Sequence, residues 1–114
     1  MEITESDVEA FLKSFKTKLN IFEVVFLHRD KNLKALADLE ISAMRRTEIL
    51  KALEVKDYFK GPTKDTDQGP DLWEFGKTVN RKEVYIKVNM GFENRPVICV
   101  SFHLAERAIV YPFK

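Results

Sequence analysis

The sequence predicts a single α+β domain in which N-terminal helices pack on one face of a mostly antiparallel sheet. Three observations predict it. The first half of the chain carries apolar residues at helical spacing. The second half alternates apolar and polar residues in runs that short polar segments separate. The 114 residues suit one domain, and an order of helices followed by strands is typical of the α+β class.

The first predicted helix runs from Thr4 to about Leu19. Thr4 is the expected N-cap, with Asp7 three positions later in a capping box, and Asn20 is the expected stop. Apolar residues recur at helical spacing and predict one buried face. They are Val8, Phe11, Leu12, Phe15 and Leu19.

Two further helical segments are expected before the chain changes period. Leu33, Leu36 and Ala37 indicate a short one after a polar loop at residues 28–32. The next runs from Ser42, its expected cap, to about Leu53.

The strands are predicted from runs rich in β-branched and aromatic residues. They are Ile21–Leu27, Lys56–Lys60, Leu72–Val79, Glu83–Met90 and Pro96–His103. Gly61-Pro62 and the stretch from Thr63 to Asp71, which contains the breaker Gly69-Pro70, are predicted to form a polar loop. Short connections between the last three strands predict an antiparallel meander, and residues 108–113 are expected to add a short edge strand.

Strand alternation predicts which side chains share the open face of the sheet. In the fourth strand, Val84, Ile86 and Val88 are expected to face the helices, so that Tyr85 and Lys87 face away. In the last strand the expected inward set is Ile98, Val100 and Phe102, and the outward set is Cys99, Ser101 and His103. Glu74 joins the open face if Trp73 and Phe75 face inward, and Lys60 is expected to reach the same surface.

These residue types suit cleavage of RNA by its own 2′-hydroxyl. The reaction needs a base for that hydroxyl, a cation for the phosphorane charge and an acid for the leaving 5′-oxygen. His103 and Glu74 are the candidate proton carriers, and Lys60 and Lys87 the candidate cations. Tyr85 is expected to orient a phosphate or stack on a base.

Each candidate also has an ordinary structural interpretation. Glu74 and Lys87 can form a cross-strand pair, and Tyr85 is a favoured strand residue. Trp73 is most simply a core anchor, and His103 a surface residue near a strand end. These alternatives stay open at the level of sequence.

Composition limits the remaining functions. The net charge is +1, so any nucleic-acid contact must be local and short, or the binding surface must be basic against an acidic remainder. The single cysteine, Cys99, and the absence of an apolar N-terminal stretch lead us to expect a cytoplasmic protein that does not enter a membrane. His28 and His103 have no partners at metal-ligand spacing, and no Gly-rich phosphate loop is present, so we expect neither metal nor cofactor.

The order of four stretches resembles the MqsR (motility quorum-sensing regulator) family of type II toxins. They are Asp57-Tyr58-Phe59-Lys60, Trp73-Glu74, Val84-Tyr85-Ile86-Lys87-Val88 and Ile98-Cys99-Val100-Ser101-Phe102-His103. The resemblance covers roughly residues 40–103. It implies a RelE/barnase-like α+β fold and a ribosome-independent mRNA interferase that a partner antitoxin neutralises.

The resemblance also implies roles for individual residues. Lys60 and Tyr85 match two active-site positions of the family, whereas Glu74 stands where the family has glutamine and His103 where it has lysine. We therefore expect Lys60, Tyr85, His103 and Glu74 to be catalytic, and Lys87, Ser101 and Trp73 to bind substrate. The implied partners are single-stranded mRNA and an antitoxin with a helix-turn-helix domain, and the protein alone is not expected to bind DNA.

Two other functions fit the same scaffold. A non-enzymatic domain that binds a protein partner agrees with the weak net charge and with the acidic Glu74. An RNA-binding module that holds RNA without cutting it agrees with the same open face.

Overall fold

Three helices and a short strand precede a four-stranded antiparallel meander in the computed structural model, which describes residues 2–66 and 69–114. In chain order the elements are α1 (Glu5–Phe22), β1 (Val24–Phe26), α2 (Asp30–Leu39), α3 (Ala43–Lys51), β2 (Tyr58–Thr63), β3 (Leu72–Val79), β4 (Lys82–Asn89) and β5 (Val97–Leu104). A single 3-10 turn, Val55–Asp57, leads into β2. The predicted α+β class is confirmed.

The sheet has the strand order β1-β5-β4-β3-β2. Strands β3, β4 and β5 form the predicted antiparallel meander, and β2 extends it by pairing antiparallel with β3. The short β1 instead pairs in parallel with β5, through Val24–Phe26 against Val97–Cys99. The chain can make this pairing because α2 and α3 connect the two halves over the sheet.

Helix α1 begins as the sequence predicts and ends later. The Thr4 side chain accepts a hydrogen bond from the Asp7 backbone, and the Asp7 carboxylate accepts one from the Thr4 backbone. The helix continues past Asn20, however, and stops at Glu23, whose φ is 69°. Once a helix is formed each added residue gains a hydrogen bond, so Ile21 and Phe22 join α1 rather than the strand.

The helices cover one face of the sheet and enclose the core. Phe11 of α1 stacks on Trp73 of β3, with ring centroids 4.2 Å apart. The largest fully buried side chains come from α1, α2, α3 and the three central strands of the sheet; they include Phe15, Leu19, Leu39, Ile49, Leu50, Phe75, Ile86 and Phe102. The face of the sheet opposite this core carries the polar side chains.

A bulge in β5 changes which of its side chains face the core. Lys87 pairs with Ser101 and Val88 pairs with Cys99, which leaves Val100 without a partner on β4. Before the bulge Val97 and Cys99 lie in the core, and after it Phe102 does. The predicted inward positions of Ile98 and Val100, and the outward position of Cys99, are therefore wrong, because alternation restarts at the bulge.

The side chain of Asn32 in α2 occupies the edge of β5 beside the bulge. Its amide nitrogen donates to the carbonyl oxygens of Leu27 and Val100, at 2.9 and 3.0 Å. Its amide oxygen accepts from the backbone nitrogen of Phe102 at 2.9 Å. Asn32 is 1% exposed. It thus satisfies backbone groups that β1 is too short to reach.

Residues 105–114 form no strand, so the edge strand predicted at residues 108–113 is wrong. This C-terminal segment crosses the open face of the sheet at Gly76, where a side-chain carbon would collide with Tyr111 and Ile109. Tyr111 donates a hydrogen bond of 2.9 Å to Glu83, and Phe113 stacks on Tyr58. The C-terminal segment therefore packs across the open face of the sheet instead of pairing with an edge strand.

Other element bounds differ modestly. Helix α2 begins at Asp30, inside the expected loop. Strand β2 begins at Tyr58 and includes Gly61 and Pro62, which were expected in a loop. Residues 67 and 68 of that predicted loop lie outside the described residues. In the part of the chain that the structure describes, no helix is long and apolar enough to cross a membrane.

Candidate active site

Two cross-strand rows of side chains build the candidate site on the open face. Glu74, Lys87 and Ser101 are consecutive partners across β3, β4 and β5. Tyr85 and His103 are partners in the next row, where β3 contributes Gly76. Since directly opposed residues share a face, the register alone gathers these side chains.

They line a cavity of about 790 Å³. Its walls come from three places: the sheet face, the start of α2 and the C-terminal segment. Beyond the two rows, its lining residues are Arg29, Asp30, Lys31, Phe59, Ala105, Glu106, Arg107, Ala108 and Ile109. The C-terminal segment closes the side of the cavity that the sheet leaves open at Gly76.

Tyr85 donates a short hydrogen bond to Oε1 of Glu74. Burial, and secondly this bond to a carboxylate, raise the pKa of Tyr85 above its ordinary value. The phenol therefore stays protonated and acts as a donor. The second oxygen of Glu74 makes no hydrogen bond within the described residues, so it remains able to accept a proton from a ligand.

The ring of His103 lies beside that of Tyr85, with centroids 5.4 Å apart. Its Nδ1 is 2.9 Å from the carbonyl oxygen of Leu104. A carbonyl oxygen only accepts hydrogen bonds, so Nδ1 carries the proton and the ring orientation is set. Nε2 is then the nitrogen that can exchange a proton with a ligand.

Positive charge exceeds negative charge around the cavity. Four lining residues are cationic (Arg29, Lys31, Lys87 and Arg107) and three are acidic (Asp30, Glu74 and Glu106), which leaves one positive charge with His103 neutral. Lys31 is paired with Glu106 at 2.7 Å. Within the described residues, the side chains of Arg29, Lys87 and Arg107 make no hydrogen bond or ion pair, and they remain available to an anion.

Lys87 does not neutralise Glu74, although the two are cross-strand partners. No ion pair joins them, and Glu74 bonds to Tyr85 instead. The cross-strand ion pair between Glu74 and Lys87, which the sequence left open, therefore does not form. Ser101, the partner of Lys87 on β5, is 3% exposed and lines the floor of the cavity.

Two predicted site residues lie outside this cavity. Trp73 faces the helices and stacks on Phe11, because alternation along β3 puts it on the opposite face from Glu74. It therefore does not meet the other candidates at this cavity, and its role in binding substrate stays a prediction. Lys60 is an exposed partner of Glu74 on β2, but Phe59 lines the cavity in its place.

Sequence reasoning missed the cations contributed by Arg29, Lys31 and Arg107. Arg29 and Lys31 fall in a segment predicted as a loop, at the end of a strand whose parallel partner the sequence does not reveal. Arg107 lies in the C-terminal segment, which was expected at a sheet edge. The polar character of residues 28–32 directly after an apolar strand was the one available signal.

Among the described residues, no group of three or more histidine, cysteine, aspartate or glutamate side chains is arranged to hold a metal ion. Comparison with family models, curated proteins and solved structures gives no match to this chain. The geometry of the cavity is therefore the basis for its functional interpretation.

Proposed function

We propose that this protein is an endoribonuclease that cleaves single-stranded RNA through the 2′-hydroxyl, without a metal ion. The observation that supports it most is the placement of a carboxylate, Glu74, and an imidazole, His103, on either side of Tyr85 within one cationic cavity. Cleavage takes a proton from the attacking 2′-hydroxyl and gives one to the leaving 5′-oxygen, and a carboxylate and an imidazole can carry out these two transfers.

In the proposed reaction the 2′-oxygen attacks phosphorus and the bond to the 5′-oxygen breaks. Glu74 takes the proton of the 2′-hydroxyl through the oxygen that Tyr85 leaves free. Protonated Nε2 of His103 gives a proton to the departing 5′-oxygen. Lys87 and Arg29 stabilise the charge on the phosphorane. The products are a 2′,3′-cyclic phosphate and a 5′-hydroxyl, so atoms and protons balance.

The biological setting that we propose follows the family resemblance of the sequence. The protein would act in the cytoplasm as the toxin of a type II toxin–antitoxin pair, on mRNA. The cavity mouth and the basic side chains around it are the surface that a neutralising antitoxin has to cover. Lys60 remains a proposed contributor from outside the cavity, through its charge beside Glu74.

The test is cleavage of a fluorescent single-stranded RNA in the presence of EDTA. We expect cyclic-phosphate products from wild type, and no cleavage of the same sequence with 2′-deoxyribose throughout. Glu74→Gln and His103→Ala are expected to lower the rate at least about 100-fold. Glu9→Gln and His28→Ala change the same residue types at exposed positions outside the cavity and are expected to leave the rate unchanged.

Some results would contradict the proposal. A folded wild-type protein that binds RNA but does not cut it would favour the RNA-binding module. Cleavage of the deoxy substrate, or equal rates for all four variants, would show that the 2′-hydroxyl and this cavity take no part. Growth arrest on expression, relieved by His103→Ala but not by His28→Ala, would extend the result to cells.

A further inference from the structure

A second cavity, of about 520 Å³, lies on the same open face, one step along the strands from the first. Leu72 of β3, Asn89 of β4, and Ile98 and Val100 of β5 contribute to it. Ile98 and Val100 face this cavity only because β5 bulges. The bulge therefore builds an apolar recess next to the catalytic cavity.

The two cavities share Arg29 and Lys87. A third cation, Lys64, and one carboxylate, Asp65, also line the second cavity, so three positive charges there face one negative charge. Because Arg29 and Lys87 border both cavities, they can bind a phosphate that links a group in one cavity to a group in the other. A chain of alternating phosphates and flat apolar groups matches this arrangement, and a nucleic-acid strand is such a chain.

Asn89 provides a polar group inside the apolar recess. It is 3% exposed, and its Oδ1 accepts a hydrogen bond of 2.7 Å from the backbone nitrogen of Gly91. That bond fixes the amide, so Nδ2 points the other way, and it has no acceptor among the described residues. Among the described residues, Nε of Arg46 is the only side-chain polar atom that is both fully buried and without a hydrogen-bond partner. Nδ2 of Asn89 also has no partner among them, so it is not fully buried and can be reached from the recess.

We infer that this recess binds the base of a nucleotide next to the scissile phosphate, with Nδ2 of Asn89 donating to an acceptor on the edge of the base. A buried donor discriminates between bases, because a base without an acceptor at that point leaves it unpaired. The exposed ring of Phe92, which also lines the recess, is placed to stack on the base. The inference rests on the proposed function and adds a specificity site to it.

The experiment measures binding, so that its failure is distinguishable from failure of catalysis. The probes are fluorescent hexanucleotides with 2′-fluoro sugars, which have no attacking hydroxyl. One series carries an abasic site at each position in turn. For wild type we expect one position at which loss of the base weakens binding on the order of tenfold.

Asn89→Asp keeps the oxygen that accepts from Gly91 and replaces the Nδ2 donor. We expect this variant to remove most of the difference in affinity between the intact probe and the probe that is abasic at that position. Asn94→Asp, which makes the same change in the exposed turn nearby, is expected to keep the difference. Phe92→Ala alters an exposed ring rather than the fold, and it is expected to reduce the same difference.

An equal affinity of wild type for intact and abasic probes at every position would overturn the inference. The same conclusion would follow if Asn89→Asp and Phe92→Ala both kept the wild-type difference. Neither result depends on whether the protein cuts RNA, since the cleavage assay tests that separately.

Discussion

The side-chain amide of Asn32 donates a hydrogen bond of 3.0 Å to the carbonyl oxygen of Val100, the residue that bulges from β5. The same amide accepts from Phe102. The Asn32 amide thus bonds to β5 as a peptide group of a neighbouring strand would, and it stabilises the bulge. The bulge turns Cys99 into the core and leaves Ser101 and His103 on the open face.

Replacing Asn32 with leucine, of similar volume, is expected to lower the free energy of unfolding by about 3 kcal/mol. The substitution leaves the Phe102 nitrogen and the Val100 oxygen buried without partners, and each such group is worth about 1–3 kcal/mol. Urea unfolding measures the change. Asn20→Leu, at an exposed position of α1, is the matched control and is expected to shift stability by less than about 0.5 kcal/mol. Equal effects of the two substitutions would contradict the role given to Asn32.

Tyr85→Phe is expected to lower the cleavage rate roughly fivefold, the equivalent of one hydrogen bond of about 1 kcal/mol. The phenol orients Glu74 but transfers no proton, since its pKa is raised by burial and by that carboxylate. Tyr58→Phe, which loses a hydrogen bond to the Gly61 carbonyl, is the control and should keep the rate. A loss as large as that of Glu74→Gln would mean that Tyr85 itself takes part in proton transfer.

Gly76→Ala is expected to displace the C-terminal segment, because a Cβ there would collide with Tyr111 and Ile109. We expect faster proteolysis of residues 105–114 and a loss of about 1–3 kcal/mol in stability, the range for overpacking. Limited proteolysis and urea unfolding measure both effects. In a background that carries both Ile109→Ala and Tyr111→Ala, the same substitution should be much less harmful. Additive effects would rule out the proposed collision.

Alkaline pH is expected to destabilise the protein in part through Cys99. Burial raises the pKa of this thiol from 9.0 to about 12. From about pH 9 to about pH 12 the unfolded chain releases the thiol proton and the folded protein retains it. The free energy of unfolding therefore falls across that window, by up to about 1.4 kcal/mol per pH unit, and has no such dependence below pH 9.

Unfolding by urea at several pH values measures this slope. Tyr85 and Tyr111, whose pKa values burial also raises, add to it in the same direction. Cys99→Ala should reduce the slope above pH 9 without changing it below. An unchanged slope would show that the thiol titrates normally in the folded protein.

The sequence by itself determined the features that depend on neighbouring residues. The capping box of α1, the cap of α3 at Ser42 and the bounds of β3 follow from local hydrogen bonds and local alternation. The outward direction of Tyr85 and Lys87 follows from the uninterrupted alternation of β4. These signals are complete within a few residues, so no knowledge of the fold is needed to use them.

The tertiary structure alone decided the rest of the candidate site. The bulge at Val100 depends on Asn32, which lies 68 positions away. Arg29 lines the same cavity as Lys87 because β1 pairs in parallel with β5, and Arg107 lines it because the C-terminal segment crosses the sheet at Gly76. Such contacts are set by the packing of distant segments, and the periodicity of a single strand carries no information about them.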